Sequence, residues 1–513
     1  MASRKGPACD GCRLRKVKCH GTWPCTQCAH LNLRCNFTGP AERRKRRVRG
    51  GLVAQLRETS SNDTTLPRQI ETKSTTNLSR DFFINLLPQF SQFVFPLNPI
   101  ISPQEMQDAI ANMDDSAEDA ALVHAFAAIT INRTRSSWEV HGELATLMAN
   151  LVHRSMKAYR DVELESDDVQ TGTLGPLPVT IKRVLTSIFL SVCVLTLGSV
   201  NRSFAILREG VTMLQTLHLH HRHPAGGDSI TKWQRLYWEA YMHERHMALE
   251  VSFSGALSTL RTGLPGTDES IPPHIDLGFR RLVNLFLILD DNFVAHWRAQ
   301  QDPTNAAPEL KAEWVEQKQG QLDEDAACTA KEEACLLDRG LSGLSELQHI
   351  DLAITRLWLR TLVWQLALSG GLLCSAPVHE GLSLRFPVVG ICEELLCLFN
   401  QLESVTSVGF HGMGMLKKLF EITSTIADVL TLPTSPEEVQ QQEHVSRVKD
   451  LLFLVKFLLS FNAIPKQQRE YLDGKLETLR NVYTTVDFSD FITTHESSTD
   501  ADGAINPNQQ LLS

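Results

Sequence analysis

The chain has 513 residues, 42% of them apolar and 21% charged, with a net charge of −9. That length exceeds what one compact core accommodates, and that composition excludes an intrinsically disordered chain. Charge is divided unevenly. Residues 1–50 hold 13 Lys and Arg against Asp10 and Glu42, a surplus of +11 that leaves −20 on the other 463 residues. A basic head on an acidic body points to a polyanion partner at one end of the chain.

The first element in chain order, residues 1–37, is a cysteine module. No apolar stretch of the kind found in a secretory signal opens the chain, so a reducing compartment is expected and clustered cysteines should bind metal. Cys9, Cys12, Cys19, Cys25, Cys28 and Cys35 follow the spacing C-x2-C-x6-C, a five-residue gap, then C-x2-C-x6-C again. Two tetrahedral zinc ions need eight metal–ligand bonds, which six thiolates supply when two sulfurs bridge. The symmetry of the repeat makes Cys9 and Cys25 the natural bridges. Six thiolates and two Zn²⁺ carry −2 between them, and Arg13, Arg15, Lys16 and Lys18 lie close enough in sequence to offset it. A segment of about 35 residues buries too little apolar surface to fold by itself, so metal supplies most of its folding free energy. The competing arrangement is a single zinc ribbon on four of these cysteines, with two spare thiols.

Residues Cys9 to Cys35 resemble the fungal binuclear zinc cluster family of transcription regulators. Cys12-Arg-Leu-Arg-Lys-Val-Lys-Cys19 and Pro24 before Cys25 both match the family's pattern. The resemblance implies two short helices around two zinc ions, the first of which enters the major groove of double-stranded DNA. It places Lys16 at the position that reads the guanines of a CGG triplet, with Arg15 beside it and Arg13 and Lys18 on phosphates. Lys and Arg donate to guanine O6 and N7, so the chemistry agrees. Trp23 departs from the family, whose loop there is usually polar; it packs on the cluster or touches the DNA backbone, packing being the first expectation.

Residues 38–79 read as a flexible linker that opens with a basic run and continues rich in Ser, Thr and Asn. The run Arg43, Arg44, Lys45, Arg46 and Arg47 can track DNA phosphates, act as a nuclear-import signal, or be merely a solvated face. Import would place the protein in the nucleus. Leu52, Val53 and Leu56 make at most one turn of coiled coil before Thr59–Thr65 ends any heptad. The chain therefore binds as a monomer, or homodimer contacts come from further along.

Residues 80–486 read as a large all-α domain. Ser102-Pro-Gln-Glu105 has the form of a capping box with proline at the first helical position. Apolar residues at three-to-four spacing predict helices over 120–131, 184–197, 204–219, 233–249, 282–297, 347–368 and 448–461. The most apolar stretch, 184–200, carries Thr186, Ser187, Ser191 and Thr196 and is expected to be a buried helix, not a membrane span. Trp233-Gln-Arg-Leu-Tyr-Trp-Glu-Ala-Tyr-Met-His-Glu-Arg245 resembles the signature helix of the family's regulatory middle domain. Residues 203–219 and Gly263 to Pro273 fit that context. Asp351 to Gln365 resembles the subgroup that regulates maltose and starch use, many of whose relatives control secondary-metabolite clusters. The plain physical expectation for both helices is aromatic core packing with a buried Glu–Arg pair, and ligand sensing is an added role.

His218, His220, His221 and His223 cluster at a helix end, where cations are favourable without any metal. Cys193, Cys328, Cys335, Cys374, Cys392 and Cys397 are expected to be buried thiols. Of these, Cys328 and Cys335 form the one pair suggestive of redox sensitivity. Residues 487–513 form a polar, acidic tail. Val486-Asp-Phe-Ser-Asp-Phe-Ile492 interleaves acids and aromatics, as disordered activation segments that recruit transcription machinery do, and a solvated tail is the alternative.

Nucleophile elbow, phosphate loop and HExxH motifs are all missing, which argues against an enzyme. The expected function is a sequence-specific, pathway-directed transcription activator with two zinc ions per chain. A repressor or adaptor with the same head is the alternative.

Overall fold

The computed structural model describes residues 78–134, 142–164, 177–220, 227–251, 255–302, 307–374, 379–402, 405–432, 438–461 and 464–488, together with Cys19, Gly175, Thr304 and Asn305. The chain divides into two compact units, Met1–Asn77 and Leu78–Ser513. Among the described residues the second unit is helical, and its single β-bridge, between Cys374 and Ser383, belongs to no strand.

Local sequence sets the ends of the helices. After α1 (Arg80–Ile84) and α2 (Leu87–Phe93), α3 (Pro103–Asn112) starts at the expected capping box. The Ser102 hydroxyl accepts from the Glu105 amide at 3.2 Å, and the Glu105 carboxylate accepts from the Ser102 amide at 2.9 Å. α4 (Ala117–Thr134) and α6 (Ile181–Thr196) are buried on nearly every side, as their unbroken apolar composition requires. α4 packs against α5 (Glu143–Leu164) and α6, and α6 against α7 (Val200–His220). Gly210 makes that last crossing close: a Cβ there would lie 2.0 Å from Ser187 Oγ. No helix of the described residues is long and apolar enough to cross a membrane.

α8 (Gly227–Val251) covers the region predicted over 233–249. The helix predicted over 282–297 is in fact two. α9 (Pro273–Leu287) ends, and α10 (Asp291–Gln301) restarts with the Asp290 carboxylate accepting from the Phe293 amide at 2.8 Å. The apolar period runs through this break unaltered, so periodicity hid it; the capping Asp290 was the missed signal. α11 (Ala312–Asp338) and α12 (Glu346–Ser369) pack together, the latter starting at a second capping box, Ser345/Gln348. α13 (Cys392–Gln401) follows a π-helical segment, Pro387–Ile391. α14 (Met413–Leu430) lies on α12, and α15 (Glu438–Leu459) and α16 (Lys466–Val482) pack on α14.

One apolar cluster runs from Phe83 to Phe488. Val486 and Phe488 are buried in it, so the start of the interleaved tail motif belongs to the core, and the rest of that motif lies outside the described residues. Burial of the scattered cysteines holds for Cys193 and Cys392 but not generally: Cys335, Cys374 and Cys397 are exposed. Cys328 and Cys335 sit seven residues apart on α11, about 10 Å along the axis, which is too far for a disulfide. The side chains of the histidine cluster at 218–223 lie outside the described residues.

Candidate functional site

Of the six predicted zinc ligands, Cys19 is described and is half-buried; Cys9, Cys12, Cys25, Cys28 and Cys35 lie outside the described residues. So do Arg13, Arg15, Lys16, Lys18 and the run Arg43 to Arg47. The chemistry of the donor set therefore carries the metal argument: six soft thiolates in a twofold-repeated spacing suit zinc.

The geometry of the body is seen at the signature helix α8. Its aromatic residues form a ladder, with ring centroids 5.5 Å apart for Trp233–Tyr237, 6.0 Å for Tyr237–Trp238 and 5.3 Å for Trp238–Tyr241. Their polar ends hold the following loop: Tyr237 Oη donates to Ser258 O at 2.7 Å and Trp238 Nε1 to Gly263 O at 3.2 Å. Gly263 sits at φ 78°, where a side chain would strain the backbone. Further along, Arg235 bonds Asp268 at 2.8 Å. Burial works against the Asp268 charge, but hydrogen bonds from Ser270 and Arg235 hold its carboxyl down to about 2.

Glu244 and Arg245 are both buried, yet they do not pair with each other. Adjacent helical residues face apart. Glu244 instead takes Arg208 of α7 and the Leu257 amide, the latter at 2.7 Å. Arg245 takes Asp291 at 2.7 Å and Leu257 O at 3.2 Å, and stacks over the Tyr241 ring. The expected buried Glu–Arg pair is thus a contact between helices. The second motif does similar work: Arg356 and Arg360 of α12 reach Asp325 and Asp323 of α11, and Trp364 Nε1 donates to Ser383 O at 2.8 Å.

Beside these helices lies a cavity of about 180 Å³, lined by α4, α6, α8, α9, α12 and the start of α14. Its charged groups are engaged. Lys418 Nζ donates to Thr355 Oγ1 at 2.6 Å and lies 3.7 Å from Asp351. Lys417 pairs with Glu250 at 2.6 Å, and Arg133 donates to His411 O at 3.1 Å. Burial lowers the Lys418 pKa against the pull of Asp351. The His246 ring packs 5.7 Å from that of Trp358, and burial pushes its pKa down to about 4, opposed by Glu250 and reinforced by Lys418, Lys417 and His243. Sequence reading passed over this site. Asn132 and Lys418, polar positions within otherwise apolar helix faces, were its legible trace.

Burial likewise depresses His124, His274, His296 and His411. The folded state refuses protons that the unfolded chain accepts below its ordinary histidine pKa of 6.5. This stability is therefore present above pH 6.5 and lost as pH falls toward 4. Calorimetric melting temperatures should fall across that window, and His246→Asn should flatten the slope. Identical slopes for variant and parent would remove His246 from the account.

Comparison with known proteins extends the picture to the head. The model of the fungal Zn(2)-Cys(6) binuclear cluster domain matches residues 7–44. Over 461 residues the chain is 21% identical to the probable sucrose utilization protein SUC1 of Candida albicans, covering 87% of this chain and 83% of that one. It is 20% identical over 440 residues to the maltose fermentation regulatory protein MAL13 of Saccharomyces cerevisiae, covering 82% and 84%. A shorter match, 44% over 46 residues, is to the AAl-toxin cluster-specific transcription factor ALT13 of Alternaria alternata, covering 9% and 7%. Residues 7–44 are thus a fungal Zn(2)-Cys(6) binuclear cluster domain, and the chain is similar along most of its length to proteins named for sucrose utilization and maltose fermentation. Its head binds two zinc ions, and it acts as a DNA-binding regulator of transcription, not as an enzyme.

Proposed function

We propose that the protein is a nuclear, sequence-specific regulator that recognises CGG-type triplets and controls a sugar-utilisation gene set. What carries this reading is a six-cysteine head on a chain that is similar, along more than four-fifths of its length, to proteins named for sucrose utilization and for the regulation of maltose fermentation. The match to a toxin-cluster regulator is limited to 46 residues, so it supports a secondary-metabolite target less strongly.

In this reading zinc holds the head, and Lys16 donates to guanine O6 and N7 from the first short helix. Arg15 shares base or phosphate contact. Arg13 and Lys18 position the head on phosphates, and Arg43, Arg44, Lys45, Arg46 and Arg47 track the backbone or direct nuclear import. Residues beyond Phe488 recruit the transcription machinery, which makes the protein an activator. A homodimer, if formed, draws its contacts from the helical body.

Lys16→Ala should weaken binding to CGG-containing DNA by about 1–3 kcal/mol and relax choice at that triplet. Selection from a random duplex library reads this directly. A variant that recovers the same triplet as the parent, with unchanged affinity, would remove Lys16 from base recognition.

A further inference from the structure

Several of the polar groups that line the cavity between α4, α8 and α14 have hydrogen-bonding capacity left over, among them His411 Nδ1, Asn132, Glu239 and His246. Asn132 is 4% exposed, and its side-chain amide makes no hydrogen bond among the described residues. Glu239 is 5% exposed; its Oε1 meets His243 Nε2 at 3.0 Å, while its Oε2 is buried with no partner. His246 forms a ring contact but no hydrogen bond among the described residues, and at neutral pH its uncharged ring offers one N–H and one bare nitrogen. Buried polar groups are ordinarily satisfied, and leaving one unmade costs about 1–3 kcal/mol. Glu239 Oε2 and His411 Nδ1 are such groups, and Asn132 and the half-buried His246 add open capacity around the same cavity, which marks a place built for something that bonds them.

The chemistry of the set narrows the occupant. Asn132 and neutral His246 each offer a donor and an acceptor, and Glu239 offers an acceptor. Hydroxyl groups, which donate and accept at one atom, answer all three. The cations are already engaged: Lys417 by Glu250, Lys418 by Thr355 and Asp351, and Arg133 by His411 O. An anion would have to meet Glu239, and a cation would have to approach Lys418. Val192, Met242, Leu282 and Phe286 supply an apolar wall for a carbon frame. The volume of about 180 Å³ is slightly larger than the ~150 Å³ cavity that admits one benzene ring, so it accommodates one six-membered ring. The cavity opens to solvent, so a second ring would lie outside it.

We infer that this cavity is an effector site for a small uncharged polyhydroxylated molecule of single-ring size, a monosaccharide or a cyclitol, held by Asn132, Glu239 and His246. The inference deepens the sugar-utilisation reading and rests on it only for physiological role. Binding is measured on the protein without DNA, so loss of CGG recognition and loss of effector binding are separate results. A ligand that bonds Asn132 on α4 and both acceptors on α8 ties two helices together and should stabilise the body in proportion to its occupancy.

The test is isothermal titration of the full-length, zinc-loaded protein with D-glucose, D-fructose and myo-inositol. Maltose serves as the two-ring control, cyclohexanol as the apolar ring and gluconate as the charged analogue. Saturable one-site binding of at least one of the first three is expected, with the controls weaker. A preference among the three identifies whether a sugar or a cyclitol is the ligand. Glu239→Gln and Asn132→Leu should each weaken binding by about tenfold, the size of one lost hydrogen bond. Gly414, on α14, also lines the cavity, and a Cβ there meets nothing within 4 Å. Gly414→Phe, which adds a ring at this exposed rim position, should hinder entry to the cavity without lowering the melting temperature of the free protein, which separates occlusion from misfolding. The proposal is overturned if none of the three probes saturates, if maltose, cyclohexanol or gluconate binds as tightly, or if a folded Gly414→Phe protein binds normally.

Discussion

Asp325→Ala is expected to remove about 3 kcal/mol of folding free energy, because it takes the shared carboxylate from two arginines inside the body. Asp325 is 6% exposed on α11 and takes Arg281 of α9 on one carboxylate oxygen and Arg356 of α12, at 2.9 Å, on the other. Arg281 also donates to Thr329 Oγ1 at 3.1 Å and to the Asp325 carbonyl at 3.2 Å, so its guanidinium cannot simply turn toward water. Without the carboxylate, Arg356 loses its ion pair and Arg281 keeps only the half-exposed Glu332 at 3.4 Å. Urea denaturation of the full chain, followed by far-UV circular dichroism, measures the loss. Asp323→Ala is the control two residues away on the same helix: that carboxylate is 55% exposed, and its bond to Arg360 should contribute no more than about 1 kcal/mol. Replacing Asp325, Arg281 and Arg356 together by leucine or methionine should recover most of the loss, since apolar packing often matches a buried ionic triad. Equal effects for Asp325 and Asp323 would show that the triad is better solvated than its burial indicates.

Cys25→Ser is expected to be the most damaging single change in the head. If Cys25 bridges, both zinc ions lose a ligand, whereas Cys28→Ser removes a terminal ligand from one ion. Structural zinc contributes about 10–16 kcal/mol to small metal-folded modules, so even partial loss should abolish specific DNA binding. Metal analysis should return two zinc ions per chain for the parent protein and fewer than one for Cys25→Ser, with Cys28→Ser between them. A strong chelator should reproduce the DNA-binding defect while leaving the helical signal of residues 78–488 nearly unchanged. Two full zinc equivalents retained by Cys25→Ser would remove Cys25 from the bridging position.

What the sequence conveyed depended on whether a signal was local. Capping at Ser102 was readable because a hydroxyl, a proline and a glutamate stand within four residues. The six-cysteine spacing was readable for the same reason: ligand counting needs no tertiary contact. The break at Asp290 was obscured by apolar residues that keep their period on both sides of it. Pairing was less legible still. Glu244 and Arg245 are neighbours in sequence, but their partners, Arg208 and Asp291, come from other helices. The cavity was hidden for a similar reason, since Asn132, Glu239 and His246 become one site only when α4 and α8 pack. Exposure of Cys335, Cys374 and Cys397 also escaped a reading based on residue type, because each depends on which side of an element meets solvent.

The burial of Val486 and Phe488 has a practical consequence for mapping function by truncation. A deletion that begins at the first acidic–aromatic residues would strip side chains from the hydrophobic interior, and the resulting silence in a reporter cell would reflect a damaged scaffold. A fusion that begins there would carry greasy surface torn from its home. Cut points chosen after residue 488 keep the two effects apart.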